Sequence, residues 1–166
     1  MVKENSRLFI LIFLGMLTAF GPFVTDMYPP TLPAMTGFFH TTSSQVQLGL
    51  TASMIGLAIG QLLFGPLSDK YGRRIPLIMA MLLFLLSTLG CLFSATIIQF
   101  VGWRLVQGIA GAGGIVISRS IAADKYSGKE LAKMLAVIGA INGVAPVAAP
   151  MAGGSMAESL GWKGIF

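Results

Sequence analysis

Two ionisable residues lie inside long apolar runs, and they are the first places where this sequence could do chemistry. Asp26 falls near the end of the run that starts at Leu8, and Arg104 falls near the start of the run that begins at about Ile98. A charge held inside a bilayer costs at least about 2.5 to 3.5 kcal/mol, so such residues face a protein interior or a water-filled path. At 1.5 Å per residue, Asp26 stands about 27 Å along its run and Arg104 about 9 Å along its own. If the two runs cross in opposite directions, both charges sit at a comparable depth. A carboxylate there can take up and release a proton, and a guanidinium can hold a substrate. The structural alternative makes Asp26 a solvated helix-end residue and Arg104 a partner for backbone carbonyls.

Polar and small residues extend the pattern. Gln107, Gly108, Gly111 and Ser118 follow Arg104 at offsets of 3, 4, 7 and 14, which places them on one helical face. Gln47, Thr51, Met54, Ala58 and Gln61 repeat such a face in an earlier run, and Asn142 lies near the middle of a later one. These faces either line one central cavity or hydrogen-bond neighbouring helices together. Other chemistries have little support. The glycine-rich stretch GIAGAGG, residues 108–114, does not satisfy G-x-G-x-x-G, follows no strand and lacks the lysine and Ser/Thr of a phosphate loop. Neither a metal-ligand cluster nor a set of nucleophile, base and orienting group is visible, so the expectation is no enzyme, no metal and no cofactor. If the protein drives transport uphill, the chain offers no ATP site and an ion gradient becomes the default energy source. Cys91, the only cysteine, reads as small core filler.

The elements that must carry these residues follow from composition. The 166 residues are 55% hydrophobic and 10% charged, whereas a soluble domain carries roughly 25% charged residues. That balance argues against a freely soluble enzyme, and it excludes a disordered chain. The apolar residues cluster into runs of spanning length, predicting an all-α integral membrane protein with helices at about residues 8–27, 45–64, 75–94, 98–122 and 131–154. The first run is too long for the core of a signal peptide and lacks a clear small-residue cleavage site. Residues 28–44, with Pro29, Pro30, Pro33 and His40, read as a turn-rich connection, and Gly65-Pro66 as the stop of the second span. Residues 68–74 form a charged loop, residues 124–133 a charged stretch and residues 155–163 a polar connection, with a sixth helix beginning at about residue 164. The G-x-x-x-G spacings of Gly56 with Gly60 and Gly139 with Gly143 predict close helix packing.

Basic residues fix an orientation. With the N-terminus inside, Lys3, Arg7, Lys70, Arg73, Arg74, Lys125, Lys129 and Lys133 fall on the cytoplasmic side, and Lys163 alone falls outside. That asymmetry predicts a cytoplasmic N-terminus. It also accounts for the net charge of +5 without a nucleic-acid partner.

The stretch GPLSDKYGRRIPL, residues 65–77, resembles the signature loop of the major facilitator superfamily, G-x-L-x-D-x-x-G-R-R/K-x-x-L, at every specified position, including Gly65, Asp69, Gly72, Arg73 and Arg74. RLVQG, residues 104–108, resembles that family's fourth-helix motif, whose arginine is implicated in proton coupling. VTDMYPPTLPAM, residues 24–35, and QLLFGPLSD, residues 61–69, resemble the bicyclomycin-resistance (Bcr/CflA) group of drug/proton antiporters. APVAAPMAGG, residues 145–154, is similar to the antiporter motif of the fifth helix through Pro146, Pro150, Gly153 and Gly154, although Ala149 stands where glycine is commoner. The resemblance implies an N-terminal part of a two-half, twelve-helix transporter in the inner membrane, its partners being a small-molecule substrate, protons, the lipid bilayer and a missing C-terminal half. It further implies that Asp69 meets a helix end of that second half. Arg73 would pair with Asp124, with Arg119 nearby, as a latch on one access state. Pro146 and Pro150 would bend the fifth helix, either as a hinge or as a rigid kink. The expected activity is proton-coupled efflux of small amphipathic molecules by alternating access. The alternatives are a symporter that imports a metabolite and a truncated membrane protein that transports nothing.

Overall fold

The computed structural model describes residues 4–166, with the side chains of residues 9–166 apart from Val24. Lys3 and the side chain of Arg7 lie outside the described residues, so two of the basic groups used for the orientation are not placed. The described residues form helices α1 (Glu4–Asp26), α2 (Leu32–Phe38), α3 (Ser43–Tyr71), α4 (Arg74–Leu92), α5 (Ile97–Lys125) and α6 (Gly128–Leu160), with 3₁₀ turns at Pro29–Thr31 and Trp162–Ile165. Helices α3 to α6 are long and apolar enough to cross a membrane, while α1 contributes the shorter apolar stretch Phe9–Phe23.

Local chemistry sets the boundaries. Thr42 and Thr96 are extended and accept hydrogen bonds from the backbone amides of Gln45 and Gln99, so each satisfies an orphan donor and starts a 29-residue helix. The proline-rich connection is more ordered than the sequence suggests. Pro29, Pro30 and Pro33 fall in the first positions of a 3₁₀ turn and of α2, where a missing N–H costs no intrahelical bond. Pro66 does not stop the second span either, because α3 runs on to Tyr71. The turn beyond the proline is held by side chains: Ser68 Oγ donates to the Gly65 carbonyl at 2.9 Å, and Arg73 donates to Ser68 Oγ at 2.7 Å. The true stop is Gly72, whose φ of 77° and ψ of 165° suit glycine alone. The fifth span likewise passes through Pro146 and Pro150 and continues to Leu160. Ser155 and Ser159 bond back to carbonyls of the preceding turn, and Gly161, at φ 74°, ends the helix.

Gly72→Ala is expected to destabilise the protein by about 1 to 3 kcal/mol, the range for a residue held in a disfavoured backbone region. The added methyl meets nothing within 4 Å, so the cost is conformational alone. Thermal unfolding of Gly72→Ala beside Gly65→Ala, equally uncrowded but helical, checks this, since only the former is expected to lower the midpoint.

Helix α5 is the centre of the bundle and contacts α1, α3, α4 and α6, while α1 also packs on α6. Its approach to α3 is made at glycines. A Cβ on Gly108 would strike the Ser53 carbonyl, and a Cβ on Gly56 would strike the Leu105 carbonyl. Gly60 meets Ile109 in the same way, so the first G-x-x-x-G pair brings two backbones together. The second pair does not, because nothing lies within 4 Å of a Cβ on Gly139 or Gly143. Their face of α6 is open among the described residues.

Candidate functional site

The buried polar centre is built around Arg104, seven residues into α5 and 1% exposed. Its guanidinium donates to Gln107 Oε1 at 2.8 Å and to Ser53 Oγ at 3.1 Å, and Gln107 Nε2 donates in turn to Thr88 Oγ1 at 2.7 Å. One network therefore ties α3, α4 and α5 together. The Tyr28 ring lies 4.8 Å from the guanidinium carbon and the Phe166 ring 5.7 Å, within cation–π range. Tyr28 is fixed by its own hydroxyl, which donates to the Val46 carbonyl at 2.5 Å, and by stacking on Phe100 at 5.9 Å. Arg104 and Gln107 also touch a mostly apolar cavity of about 490 Å³ between α1 and α4, with Phe20, Phe23 and Phe84 in its wall.

A second cavity, about 560 Å³, opens on another side of α1 and is bounded by α1, α3, α5 and α6. Asp26 and Thr25 come from α1, Met54, Leu57, Ala58 and Gln61 from α3, Ile115 and Arg119 from α5, and Asn142 from α6. The two charges singled out in the sequence are thus not in one cavity. They lie toward the same end of the bundle, since Tyr28, two residues beyond Asp26, packs on Arg104. The polar face of α3 does reach the cavity through Met54, Ala58 and Gln61, whereas Gln47 and Thr51 lie on its exposed continuation outside the lining. The Arg104, Gln107, Gly108 and Ser118 face of α5 is buried between helices. Asn142 serves both readings, because its Nδ2 donates to Thr18 Oγ1 of α1 at 3.2 Å and it also lines the cavity. Among the described residues Asp26 and Arg119 have no ion-pair partner.

At the opposite end, the signature segment folds into a charge cluster. Arg73 forms two hydrogen bonds to Asp124, Nε to Oδ2 at 2.7 Å and Nη2 to Oδ1 at 3.1 Å, and a third to Asp69 Oδ1 at 2.5 Å. This bidentate grip joins the α3–α4 connection to the last turn of α5. The two carboxylates hold the Arg73 guanidinium above its ordinary range, the bond to Asp124 contributing most. Arg74 starts α4 and is exposed. Arg119, expected near this cluster, lines the cavity of Asp26 instead, because five residues, or 500° of helical turn, separate it from Asp124 and point it to a different face. The α6 motif has a packing role: a Cβ on Gly153 would strike the Met27 carbonyl, and Gly154 faces Pro30. The motif glycines let α6 close on the end of α1 next to Asp26.

Residues not singled out in the sequence complete these sites. Tyr28, Ser53 and Thr88 hold or bound Arg104, and Ser68 joins the Arg73 cluster. Ser53 carried a legible signal, since it belongs to the small-residue face of Gly49, Gly56 and Gly60. Thr88 carried none.

A sequence profile described as the Major Facilitator Superfamily matches residues 8–166. The chain is 44% identical over 152 residues, 92% of its length, to the uncharacterized MFS-type transporter YdgK of Bacillus subtilis, of which the match covers 38%. It is 31% identical over its whole length to a bicyclomycin resistance protein homolog of Haemophilus influenzae, 42% of that protein. It is 26% identical over 99% of its length to multidrug resistance protein D of Escherichia coli, again 42% of that protein. The chain thus spans about two fifths of the length of the curated relatives it matches.

Proposed function

The chain belongs to the Major Facilitator Superfamily, and from that premise we propose that its complete gene product exports drugs or other small amphipathic molecules across the inner membrane, driven by protons and working by alternating access. The observation that carries the reading is the convergence of Asp26, Gln61, Arg119 and Asn142 from four helices on one cavity with Met54, Leu57 and Ile115 in its walls. Apolar walls with a few polar groups are what an amphipathic solute needs. The N-terminus is cytoplasmic in this proposal, so the Arg73 cluster faces the cytoplasm and the Asp26 end faces outward. The names of two relatives, a bicyclomycin resistance protein homolog and a multidrug resistance protein, favour export over uptake.

Asp26 is the proton site in this scheme. Protonated, it gives up a substrate held by its carboxylate; deprotonated, it is ready for the next. The Arg73 grip on Asp69 and Asp124 holds one access state until occupancy of the cavity shifts the balance. Pro146 and Pro150 shape the helix that closes on α1. Arg104 acts as the buried post that ties α3 to α4 and seats Tyr28, two residues beyond Asp26. The energetics suffice without ATP. One charge moving down 100 mV releases about 2.3 kcal/mol, and about 1.36 kcal/mol is a tenfold ratio. One proton per neutral solute therefore sustains a gradient of about 50-fold per 100 mV.

The test is efflux from cells that carry the complete gene, with and without a protonophore. The expected result is that collapse of the proton gradient stops efflux while ATP remains. Efflux that survives the protonophore and fails when ATP is depleted would overturn the proposal.

A further inference from the structure

The cavity carries two opposite charges that cannot reach each other. Helices α1 and α5 run antiparallel, as the pairs Tyr28 with Phe100, Leu17 with Gly114 and Leu14 with Ala122 record. Asp26 lies nine residues beyond Leu17 along α1, and Arg119 lies five residues beyond Gly114 in the opposite direction along α5. At 1.5 Å per residue their backbones are about 21 Å apart along the bundle. Allowing for the reach of both side chains, on the order of 10 Å separates carboxylate from guanidinium. Gln61 and Asn142 line the same cavity with Leu57 and Ile115. Arg119 is exposed and Asp26 half-buried, so both charges are open to a solute in the cavity, and neither residue has an ion-pair partner among the described residues.

We infer that the cavity is built for an elongated zwitterion, with its ammonium end on Asp26 and its carboxylate end on Arg119, and that Arg119 selects for the anionic end. This rests on the reading of the cavity as the substrate path. An α-amino acid is too short, because its charges are adjacent. A molecule with amine and carboxylate at opposite ends of an apolar spacer compensates both poles at once, whereas a simple cation or anion leaves one pole bare. The planar guanidinium can grip a carboxylate through two parallel hydrogen bonds. Asp26 can hold an ammonium or a proton but not both, which makes exchange of one for the other intrinsic to the site.

The experiment uses the complete gene product in proteoliposomes and four probes on one scaffold: 4′-(aminomethyl)biphenyl-4-carboxylic acid, its methyl ester, its N-acetyl derivative and the neutral derivative blocked at both ends. The expected result is a KM for the zwitterion about tenfold or more below those of the ester and the N-acetyl acid. In Arg119→Gln the ratio of zwitterion to ester collapses toward one, and Arg119→Lys restores part of it. A wild-type protein that handles ester and zwitterion alike overturns the inference, as does an Arg119→Gln protein that keeps the full ratio. Should the variant fail to insert, the wild-type ratio decides alone. Proton-driven transport of the neutral probe without preference for the zwitterion defeats this inference and leaves the proposed function standing. Absence of proton-driven transport of every probe defeats both.

Discussion

Gly108→Ala is expected to loosen the bundle by about 3 kcal/mol or more, seen as a large fall in the thermal midpoint of the complete gene product in detergent and reduced recovery from membranes. The added Cβ would collide with the Ser53 carbonyl and lie 2.9 and 3.0 Å from the Ser53 carbonyl carbon and Cα. These are backbone atoms of the facing helix and cannot swing aside. Overpacking a tight interface typically costs about 1 to 3 kcal/mol. Here the relief is separation of α3 from α5, which also stretches the bond between Arg104 and Ser53. Between helices in lipid, close packing and hydrogen bonds replace the hydrophobic drive available in water, so that separation has little to offset it. Gly102→Ala is the matching control on the same helix, because its methyl meets nothing within 4 Å. Equal midpoints for the two variants would remove close approach as the reason for glycine at 108.

Arg104→Ala is expected to abolish transport while the protein still inserts. Gln107 Oε1 and Ser53 Oγ lose their charged donor, and the Tyr28 ring loses the cation beneath it. Ser53 Oγ keeps its bond to the Leu50 carbonyl, so Gln107 Oε1 is the group left short of a donor, and an under-satisfied buried polar group costs about 1 to 3 kcal/mol. The functional effect exceeds the energetic one because Tyr28 follows Asp26 by two residues. If Tyr28 leaves its place, the end of α1 that holds Asp26 at the transport cavity shifts with it. Arg104→Lys recovers only part of the activity, since an ammonium cannot reproduce a planar fork toward Ser53 and Gln107. Transport by purified, reconstituted Arg104→Ala at the wild-type rate would remove Arg104 from the mechanism.

Much of the bundle was legible because bilayer thickness imposes run lengths that no short-range preference overrides. Helix ends were less so. Pro66 looks like a breaker in sequence and residues 155–163 like a connection, yet α3 and α6 run on to Tyr71 and Leu160, where Gly72 and Gly161 supply the dihedral angles that end them. Serine hydroxyls bond back to carbonyls of the preceding turn in both extensions. For the site, residue type identified Asp26 and Arg104 as costly, but helical offset alone could not say which face turns toward which neighbour. That is why the Arg104 and Gln107 face proves to be buried between helices, while Arg119, expected beside Asp124 from the family resemblance, turns into the cavity with Asp26. The Arg73 to Asp124 pairing was anticipated through the signature motif. Its partner Ser68 was not, because a serine in a charged segment carries no signal of its own.

The central claim is that the cavity between α1, α3, α5 and α6 carries the substrate and that Asp26 couples it to protons. The most direct measurement is substrate movement into proteoliposomes of the complete gene product bearing Asp26→Asn, with and without an imposed pH gradient. The expected result is exchange of substrate down its own gradient at a raised KM, with no accumulation when the pH gradient is applied. Accumulation driven by the pH gradient to the wild-type extent would contradict the account.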